Sequence, residues 1–211
     1  MSPYTTNKTI KAIVFDFGGV IELFEGGSMP QRLSKLLNIP LEEFRKVYFE
    51  YNHLSNVHNL PFGEMLLKVV SVFDKSEKMK AAAEAIIEDD SKKRKINAEL
   101  VALFPALREL GFRVAIFSNA TSELRAKLKE KGLLETVDEV FISGEIGFQK
   151  PHKEAFHVVF EKLHVRPEEV IFIDDAMKSL EKSAEIEYTP ILFKNNQQLL
   201  EDLKKLGIFL N

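Results

Sequence analysis

Acidic residues stand directly after two apolar runs of this chain. Asp16 follows "AIVF", and the adjacent pair Asp174 and Asp175 follows "VIFI". Carboxylates gathered at one point repel each other, so such a cluster needs a cation. Oxygen ligands without cysteine suit Mg²⁺, which binds through a few carboxylates and a substrate phosphate. These three residues are therefore candidate ligands of Mg²⁺, and a carboxylate at a strand end can also attack phosphorus to form an aspartyl-phosphate.

Three polar residues add groups that suit a phosphate. Ser118 and Asn119 follow the run "RVAIF", and Lys150 lies in "GFQKP". A hydroxyl and an ammonium near the carboxylates would hold the remaining phosphate oxygens. Read singly, Ser118 and Asn119 also fit a helix cap and Lys150 a solvated loop, so only the order of all the segments together favours a site.

The elements that would position these residues read as an α/β fold. Short runs rich in Val, Ile and Phe lack strict alternation, as expected of strands covered on both faces of a parallel sheet. Helical stretches lie between the later runs, which predicts a doubly wound, Rossmann-like parallel sheet. Ligands bind beyond the carboxyl ends of such strands, where three of the runs end in polar residues. The predicted strands are residues 12–17, 113–119, 139–143, 169–175 and 189–193.

A helical insertion interrupts this rhythm after the first strand. Residues 22–95 contain no convincing strand and four helical stretches, which predicts a core of residues 1–21 and 96–211 with a helical cap of residues 22–95. The cap should cover the crevice and select the substrate. Its candidate contacts are Glu22, Arg45, Tyr48, His53 and His58, and a polar cluster from Asn52 to Asn59 is either a substrate loop or a linker. The basic run "KKRK" at 92–95 is interpreted as a solvated hinge.

Composition narrows the class of protein. The chain has 211 residues, no Cys and a net charge of −3, which excludes disulfide frameworks and thiolate metal sites and makes nucleic acid an unfavoured partner. The polar start lacks the apolar core of a signal peptide, and no apolar run has the roughly 20 residues of a membrane span. We expect a cytoplasmic protein without a membrane partner, and its oligomeric state is not indicated.

The order of these segments resembles the haloacid dehalogenase-like hydrolase superfamily along nearly the whole chain. "VFDFGGVI", "IFSNAT", "GFQKP" and "VIFIDDA" are similar to its four motifs in order. The resemblance implies that the helical insertion is a four-helix cap and that Mg²⁺ is the cofactor. It implies the following roles: Asp16 as nucleophile and metal ligand, Ser118 and Asn119 as phosphate-binding residues, Lys150 as the neutralising cation, and Asp174, Asp175 and the Gly18 carbonyl as metal ligands.

Three positions depart from the family pattern. Most phosphatases of the family carry a second Asp, the general acid/base, where this chain has Gly18. Positioned acid/base groups contribute about 10²–10⁴-fold in rate, so good leaving groups such as sugar 1-phosphates or acyl phosphates should suffer least. Some phosphatase-like relatives share this Asp-x-Gly variant. Ser179 and Glu187 replace a common Asn and Gly without removing a catalytic group.

The function expected from these features is hydrolysis of a small phosphorylated metabolite by a Mg²⁺-dependent phosphatase. One alternative is a metal-free 2-haloacid dehalogenase, although no convincing cap arginine stands where a halide cradle would need it. Another is a phosphate-ligand or partner-binding protein in which Gly18 marks the loss of catalysis. A shared ion requires the Asp16 and Asp174 carboxyl groups to lie close together, with no cationic side chain filling the space between them.

Overall fold

The computed structural model describes residues 9–24 and 26–210, and its strands form two sheets. Five strands lie in one parallel sheet in the order β5-β4-β1-β6-β7, and β2 pairs antiparallel with β3. The described strands are β1 (Ala12–Phe15), β2 (Glu22–Phe24), β3 (Arg94–Ile96), β4 (Arg113–Ser118), β5 (Glu139–Ile142), β6 (Val170–Asp174) and β7 (Thr189–Leu192).

The helices follow the predicted alternation with the strands. In the sequence, Gly111 and Gly132 each follow a helical stretch, where glycine predicts a helix end. Both adopt left-handed φ values, of 90° and 65°. None of the described helices combines the length and apolarity that a membrane span needs. The described helices are α1 (Met29–Leu37), α2 (Leu41–Asn56), α3 (Phe62–Phe73), α4 (Glu77–Lys92), α5 (Ala98–Val101), α6 (Phe104–Glu109), α7 (Glu123–Glu130), α8 (Ser143–Ile146), α9 (Lys153–Leu163), α10 (Met177–Leu180), α11 (Ser183–Ile186) and α12 (Asn196–Lys205).

The parallel sheet is buried on both faces, as its sequence predicts. Every residue of β1 is buried, with Ile13 and Phe15 in one apolar cluster and Val14 in the other. The chain runs from β1 outward to β4 and β5, then returns to place β6 on the other side of β1. This reversal of strand order beside β1 opens a crevice at the carboxyl ends of the strands. The predicted doubly wound α/β fold is confirmed.

The helices α1 to α4 pack around an apolar cluster of their own. Leu33, Phe44, Met65 and Val69 are fully buried in it, and neither sheet cluster contains them. Burial of such side chains stabilises this helical region by roughly 1.5–3 kcal/mol each. Its predicted limits as a cap, residues 22–95, remain a prediction.

Two details of the sequence interpretation are wrong. β2 and β3 lie where no strand is predicted, because strands of three residues are too short to carry a periodic signal. The helical spacing of Leu100, Leu103, Leu107 and Leu110 predicts one helix over residues 97–111, but the structure has two helices there, α5 and α6. The break precedes Pro105, which has no backbone N–H to donate to a continuous helix.

Candidate active site

Asp16 is held at the end of β1 by its backbone. Its N–H donates to the carbonyl of Ile173 at 2.8 Å, which extends the pairing with β6 by one residue. The chain then turns at Gly19, whose φ is 83°, and a Cβ at that position would collide with the carboxylate of Asp175. Only glycine therefore permits this close approach of the loop to the acidic pair.

Lys150 links the ends of β1 and β6. Its ammonium donates to Asp16 Oδ1 at 2.9 Å and to Asp174 Oδ2 at 2.7 Å, and to the Phe117 carbonyl at 3.0 Å. The ammonium also lies 5.3 Å from the ring centroid of Phe117 and 5.0 Å from that of Phe172. This side chain is 2% exposed, so the ion pairs act with little screening by water.

The carboxylates outnumber the cation that they share. Oxygens of Asp16, Asp174 and Asp175 lie within 4.8 Å of one another, and we call these residues with Lys150 the site cluster. Burial, with a smaller contribution from Asp174, raises the pKa of Asp16 to about 7 and that of Asp175 to about 6. Burial acts against the charge of Lys150, but Asp16 and Asp174 outweigh it and raise the pKa of this ammonium. The site cluster retains negative charge that a further cation would offset.

The donor set fits a divalent cation in part. Asp16 and Asp174 lie close together, as a shared ion requires, but the Lys150 ammonium bridges them, which the sequence analysis counted against such an ion. Each carboxylate gives this ammonium one oxygen. Asp16 Oδ2 has no hydrogen-bond partner within the described part of the chain, and Asp174 Oδ1 accepts from the Ala176 N–H at 2.8 Å. Free oxygens of Asp16 and Asp175 therefore remain for a hard cation beside the lysine.

Ser118 and Asn119 reach the same crevice with different roles. Ser118 is the buried last residue of β4, and its hydroxyl makes no hydrogen bond to any described residue. The Asn119 amide is occupied, since it donates to the Lys150 carbonyl at 3.0 Å and accepts from the Lys150 N–H at 2.8 Å. Asn119 therefore fixes the backbone of Lys150, a role that the sequence did not suggest.

A cavity of about 460 Å³ lies between α2 and the end of β4. Gly18, Ser118 and Asn119 line one part of it, and Tyr48, Ser55 and Asn56 of α2 line another. Of the predicted cap contacts, Glu22 and Tyr48 line this cavity, whereas Arg45, His53 and His58 are not among its lining residues. Arg45 instead pairs with Glu42 at 2.8 Å, and His53 Nδ1 lies 2.8 Å from the Glu50 carbonyl oxygen.

A second group of charges lies where the helical region meets the sheet. Glu22 Oε1 lies 2.6 Å from Lys127 Nζ, and Glu22 Oε2 lies 3.3 Å from Arg94. Arg94 also binds Asp90 at 2.7 Å, and Asp90 lies 3.3 Å from Arg32. We call these five residues the junction cluster. The interpretation of residues 92–95 as a solvated hinge is wrong for Arg94, which turns inward to the two acids.

Neutral amides join the helical region to the core on another side. Asn56 Nδ2 donates to Gln149 Oε1 at 3.0 Å. Asn59 donates to the Gly144 carbonyl and accepts from the Ser122 N–H, both at 2.7 Å. Of the predicted polar cluster, Asn56 lines the cavity and Asn59 contacts the core directly.

Comparison with known proteins finds hydrolase relatives. A family model described as "haloacid dehalogenase-like hydrolase" matches residues 10–181. The chain is 36% identical over 76 residues to (S)-2-haloacid dehalogenase 1 of Pseudomonas sp., covering 36% of this chain and 34% of that protein. It is 32% identical over 80 residues to glyceraldehyde 3-phosphate phosphatase of Methanopyrus kandleri, covering 37% of this chain and 34% of that protein. The chain spans only part of the curated relatives that it matches, between 21% and 39% of their length.

One similar solved structure is a wild-type HAD-family enzyme of Bacteroides thetaiotaomicron in complex with magnesium and inorganic phosphate. It superposes with a TM-score of 0.61 at 22% identity, over 90% of this chain and 98% of that one. At this identity the likeness speaks for the shared fold.

Proposed function

We propose that this chain, which belongs to the haloacid dehalogenase-like hydrolases, is a Mg²⁺-dependent phosphatase of small phosphorylated metabolites. The observation that carries the proposal is the excess of carboxylate over ammonium at the ends of β1 and β6. A divalent cation and a bound phosphoryl group would together meet the remaining charges of this crevice. The Mg²⁺ and phosphate in the related Bacteroides structure support the same reading.

Each residue has a defined task in the proposed reaction. A carboxylate oxygen of Asp16 attacks phosphorus, the bond from phosphorus to the leaving oxygen breaks, and an aspartyl-phosphate forms. Water then attacks that phosphorus, releases inorganic phosphate and restores Asp16. The Ser118 hydroxyl donates to a phosphoryl oxygen, and the Lys150 ammonium neutralises charge on the phosphoryl group and on Asp16. Mg²⁺ would be held by the free oxygens of Asp16 and Asp175, by the Gly18 carbonyl and by the second lone pair of an Asp174 oxygen that already accepts a hydrogen bond, and it would supply further positive charge at the phosphoryl oxygens.

Gly18 restricts the leaving groups that this mechanism can expel. It offers no side chain to donate a proton to the departing oxygen, so that oxygen leaves with most of its negative charge. Esters of acidic alcohols, sugar 1-phosphates and acyl phosphates are therefore the favoured substrates among phosphorylated metabolites.

A metal-free 2-haloacid dehalogenase is the second candidate function. The observation that favours it is the Lys150 ammonium, which already pairs with both Asp16 and Asp174. The local similarity to the Pseudomonas dehalogenase points the same way. In this reaction Asp16 would displace halide from carbon, and water would then hydrolyse the resulting ester.

The deciding experiment measures turnover of p-nitrophenyl phosphate, a panel of phosphometabolites and 2-haloacids, each with Mg²⁺ and with EDTA. We expect phosphate release that requires Mg²⁺ and is lost in Asp16→Asn. Turnover of phosphate esters that survives EDTA contradicts the metal requirement. Halide release in EDTA identifies the dehalogenase, and a folded protein without any turnover identifies a binding protein.

A gain-of-function variant tests the role assigned to Gly18. A Cβ at Gly18 would lie 3.4 Å from the Phe24 ring, an ordinary contact, so a side chain can be accommodated. We expect Gly18→Asp to raise kcat/KM for alkyl phosphates by at least about tenfold and to change p-nitrophenyl phosphate turnover less, because a poor leaving group gains most from a proton donor. Gly18→Ala is the control, and an equal gain in that variant would contradict the acid role.

A further inference from the structure

We propose that the cavity beneath α2 receives the leaving group and selects neutral, hydroxyl-bearing alcohols, with Tyr48 and Ser55 as the specificity-determining residues. The proposal rests on the phosphatase function proposed above. The cavity joins the parts of the crevice assigned to the phosphoryl group, Gly18 and Ser118, to the inner face of α2. An ester held by its phosphate at Ser118 would therefore extend its alcohol toward α2.

The hydroxyls of Tyr48 and Ser55 are free to bind a ligand. The two residues lie seven positions apart on α2, which is two helical turns, so they share the face that lines the cavity. Ser55 is only 1% exposed, and neither hydroxyl has a hydrogen-bond partner among residues 9–24 and 26–210. Such polar groups on a cavity wall favour a ligand that completes their hydrogen bonds.

Four of the five charged residues that line the cavity are engaged in ion pairs. Glu22 pairs with Lys127 and Arg94, and Asp90 pairs with Arg94 and Arg32. The fifth, Glu123, accepts a hydrogen bond from the Thr121 hydroxyl at 3.5 Å. A charged leaving group would have to displace one of these partners and leave another charge unpaired in a buried place, which is costly. A neutral alcohol needs no such exchange.

The remaining wall and the size of the cavity agree with a small organic alcohol. Phe17, Phe24, Met29 and Phe62 provide apolar surface that suits the carbon skeleton of a ligand. Burial raises the pKa of Tyr48 to about 12, so its hydroxyl keeps its proton at neutral pH and can donate it in a hydrogen bond. About 460 Å³ lies within the range of small-molecule sites.

The test compares three sugar 1-phosphates with Mg²⁺ present, which share the good leaving group that Gly18 requires: glucose 1-phosphate, glucuronic acid 1-phosphate and glucosamine 1-phosphate. We expect kcat/KM for the neutral glucose ester to exceed both others by about tenfold or more, since only it leaves the ion pairs intact. A preference for the anionic or the cationic ester overturns the proposal.

Two matched variants test the assigned residues. We expect Tyr48→Phe and Ser55→Ala each to lower the ratio of glucose 1-phosphate to p-nitrophenyl phosphate turnover by roughly 3- to 10-fold, the effect of one lost hydrogen bond. Tyr51→Phe is the control, because Tyr51 lies on the same helix but is not among the residues that line the cavity. An unchanged ratio in Tyr48→Phe and Ser55→Ala, or an equal fall in Tyr51→Phe, overturns the assignment.

Calorimetry separates this proposal from the proposed function. The same three esters are titrated into Asp16→Asn with Mg²⁺, where no turnover interferes with binding. Preferential binding of glucose 1-phosphate without turnover by the unmutated protein would support the pocket and contradict the phosphatase function. Turnover with no ranking among the esters in either measurement would support the phosphatase and overturn the pocket.

Discussion

The site cluster and the junction cluster contain the same kinds of residue in opposite proportions. In the site cluster three carboxylates lie beside one ammonium, which pairs with two of them, whereas in the junction cluster each of the two carboxylates pairs with two cationic side chains. Arg32 also pairs with Asp89, which lies outside the junction cluster. The first leaves negative charge for a ligand to meet, and the second leaves each acid paired. The two clusters therefore differ in the ratio of carboxylates to cationic side chains rather than in burial. An excess of carboxylates marks the candidate active site, and paired carboxylates mark the contact between the helical region and the sheet.

The lysines of the two clusters show the same contrast. Lys150 is 2% exposed and its ammonium donates to Asp16, Asp174 and a carbonyl, whereas Lys127 is 34% exposed and Glu22 is its one ion-pair partner among the described residues. Removing a buried charged group leaves its partners buried without a counter-charge. When a half-exposed charged group is removed, water can solvate the partner that remains. Matched substitutions can test this difference.

The largest effect is expected from replacing the two lysines with methionine. Lys150→Met should lower kcat by about 10²–10³-fold or more, because it removes the cation that pairs with the Asp16 and Asp174 carboxylates beside the phosphoryl group. Lys127→Met should cost less than about tenfold, since Glu22 retains Arg94. Steady-state kinetics with thermal melts checks both variants. If Lys150→Met and Lys127→Met both fold and lose kcat equally, the proposed difference between the two clusters is wrong.

Binding of a divalent cation should stabilise the protein through the site cluster and not through the junction cluster. Mg²⁺ at about 100 times its dissociation constant should add ~2.7 kcal/mol to the free energy of unfolding, or about 5–10 °C in Tm. The gain should disappear in Asp174→Asn. Glu22→Gln is the matched control and should keep the full gain, because Glu22 belongs to the junction cluster. A gain that survives Asp174→Asn would place the cation elsewhere.

Stability of the metal-free protein should fall as pH rises from about 4 to 7. The pKa of Asp16 is raised to about 7 and that of Asp175 to about 6, chiefly by burial. In this window the unfolded chain holds these carboxyls ionised while the folded protein holds a proton, so folding weakens as the proton is lost. We expect Tm in EDTA to drop by several degrees between pH 5 and pH 8. Asp16→Asn should flatten most of that slope, and an unchanged slope would contradict the burial effect.

The smallest effect is expected from neutralising the central acid of the junction cluster. Glu22→Gln should lower the free energy of unfolding by about 1 kcal/mol, because the amide keeps hydrogen bonds that the charge had strengthened. Chemical denaturation measures this loss, with exposed Glu88→Gln on α4 as the reference surface substitution. If Glu22→Gln lowers the free energy of unfolding as much as Lys150→Met does, the paired charges of the junction cluster are as sensitive to substitution as the charges of the site cluster.

The sequence predicted the sheet and most of the proposed site because both depend on local patterns. Unbroken apolar runs mark β1 and β6, and the carboxyl ends of neighbouring parallel strands must meet, which brings Asp16 and Asp174 together. The Lys150 position came from the order of motifs, since nothing local to "GFQKP" directs its side chain inward.

The junction cluster and the role of Asn119 could not be predicted because they join distant parts of the chain. Glu22 is 72 residues from Arg94 and 105 from Lys127, and Asn119 is 31 residues from Lys150. Short-range periodicity carries no information about such contacts. For the same reason "KKRK" was taken as solvated, although the pairing of β2 with β3 brings Arg94 to Glu22.

The pairing of β2 with β3 has a consequence for how this fold can be altered. The chain enters β2 at Glu22 and leaves β3 at Ile96, and these two residues are direct neighbours across the antiparallel pair. Because the two ends already lie side by side, a tight hairpin of a few residues could replace everything between them at little cost in loop closure. We therefore expect that the helical region can be exchanged for another segment. Such a replacement should leave the ends of β1 and β6, which carry Asp16 and Asp174, in register.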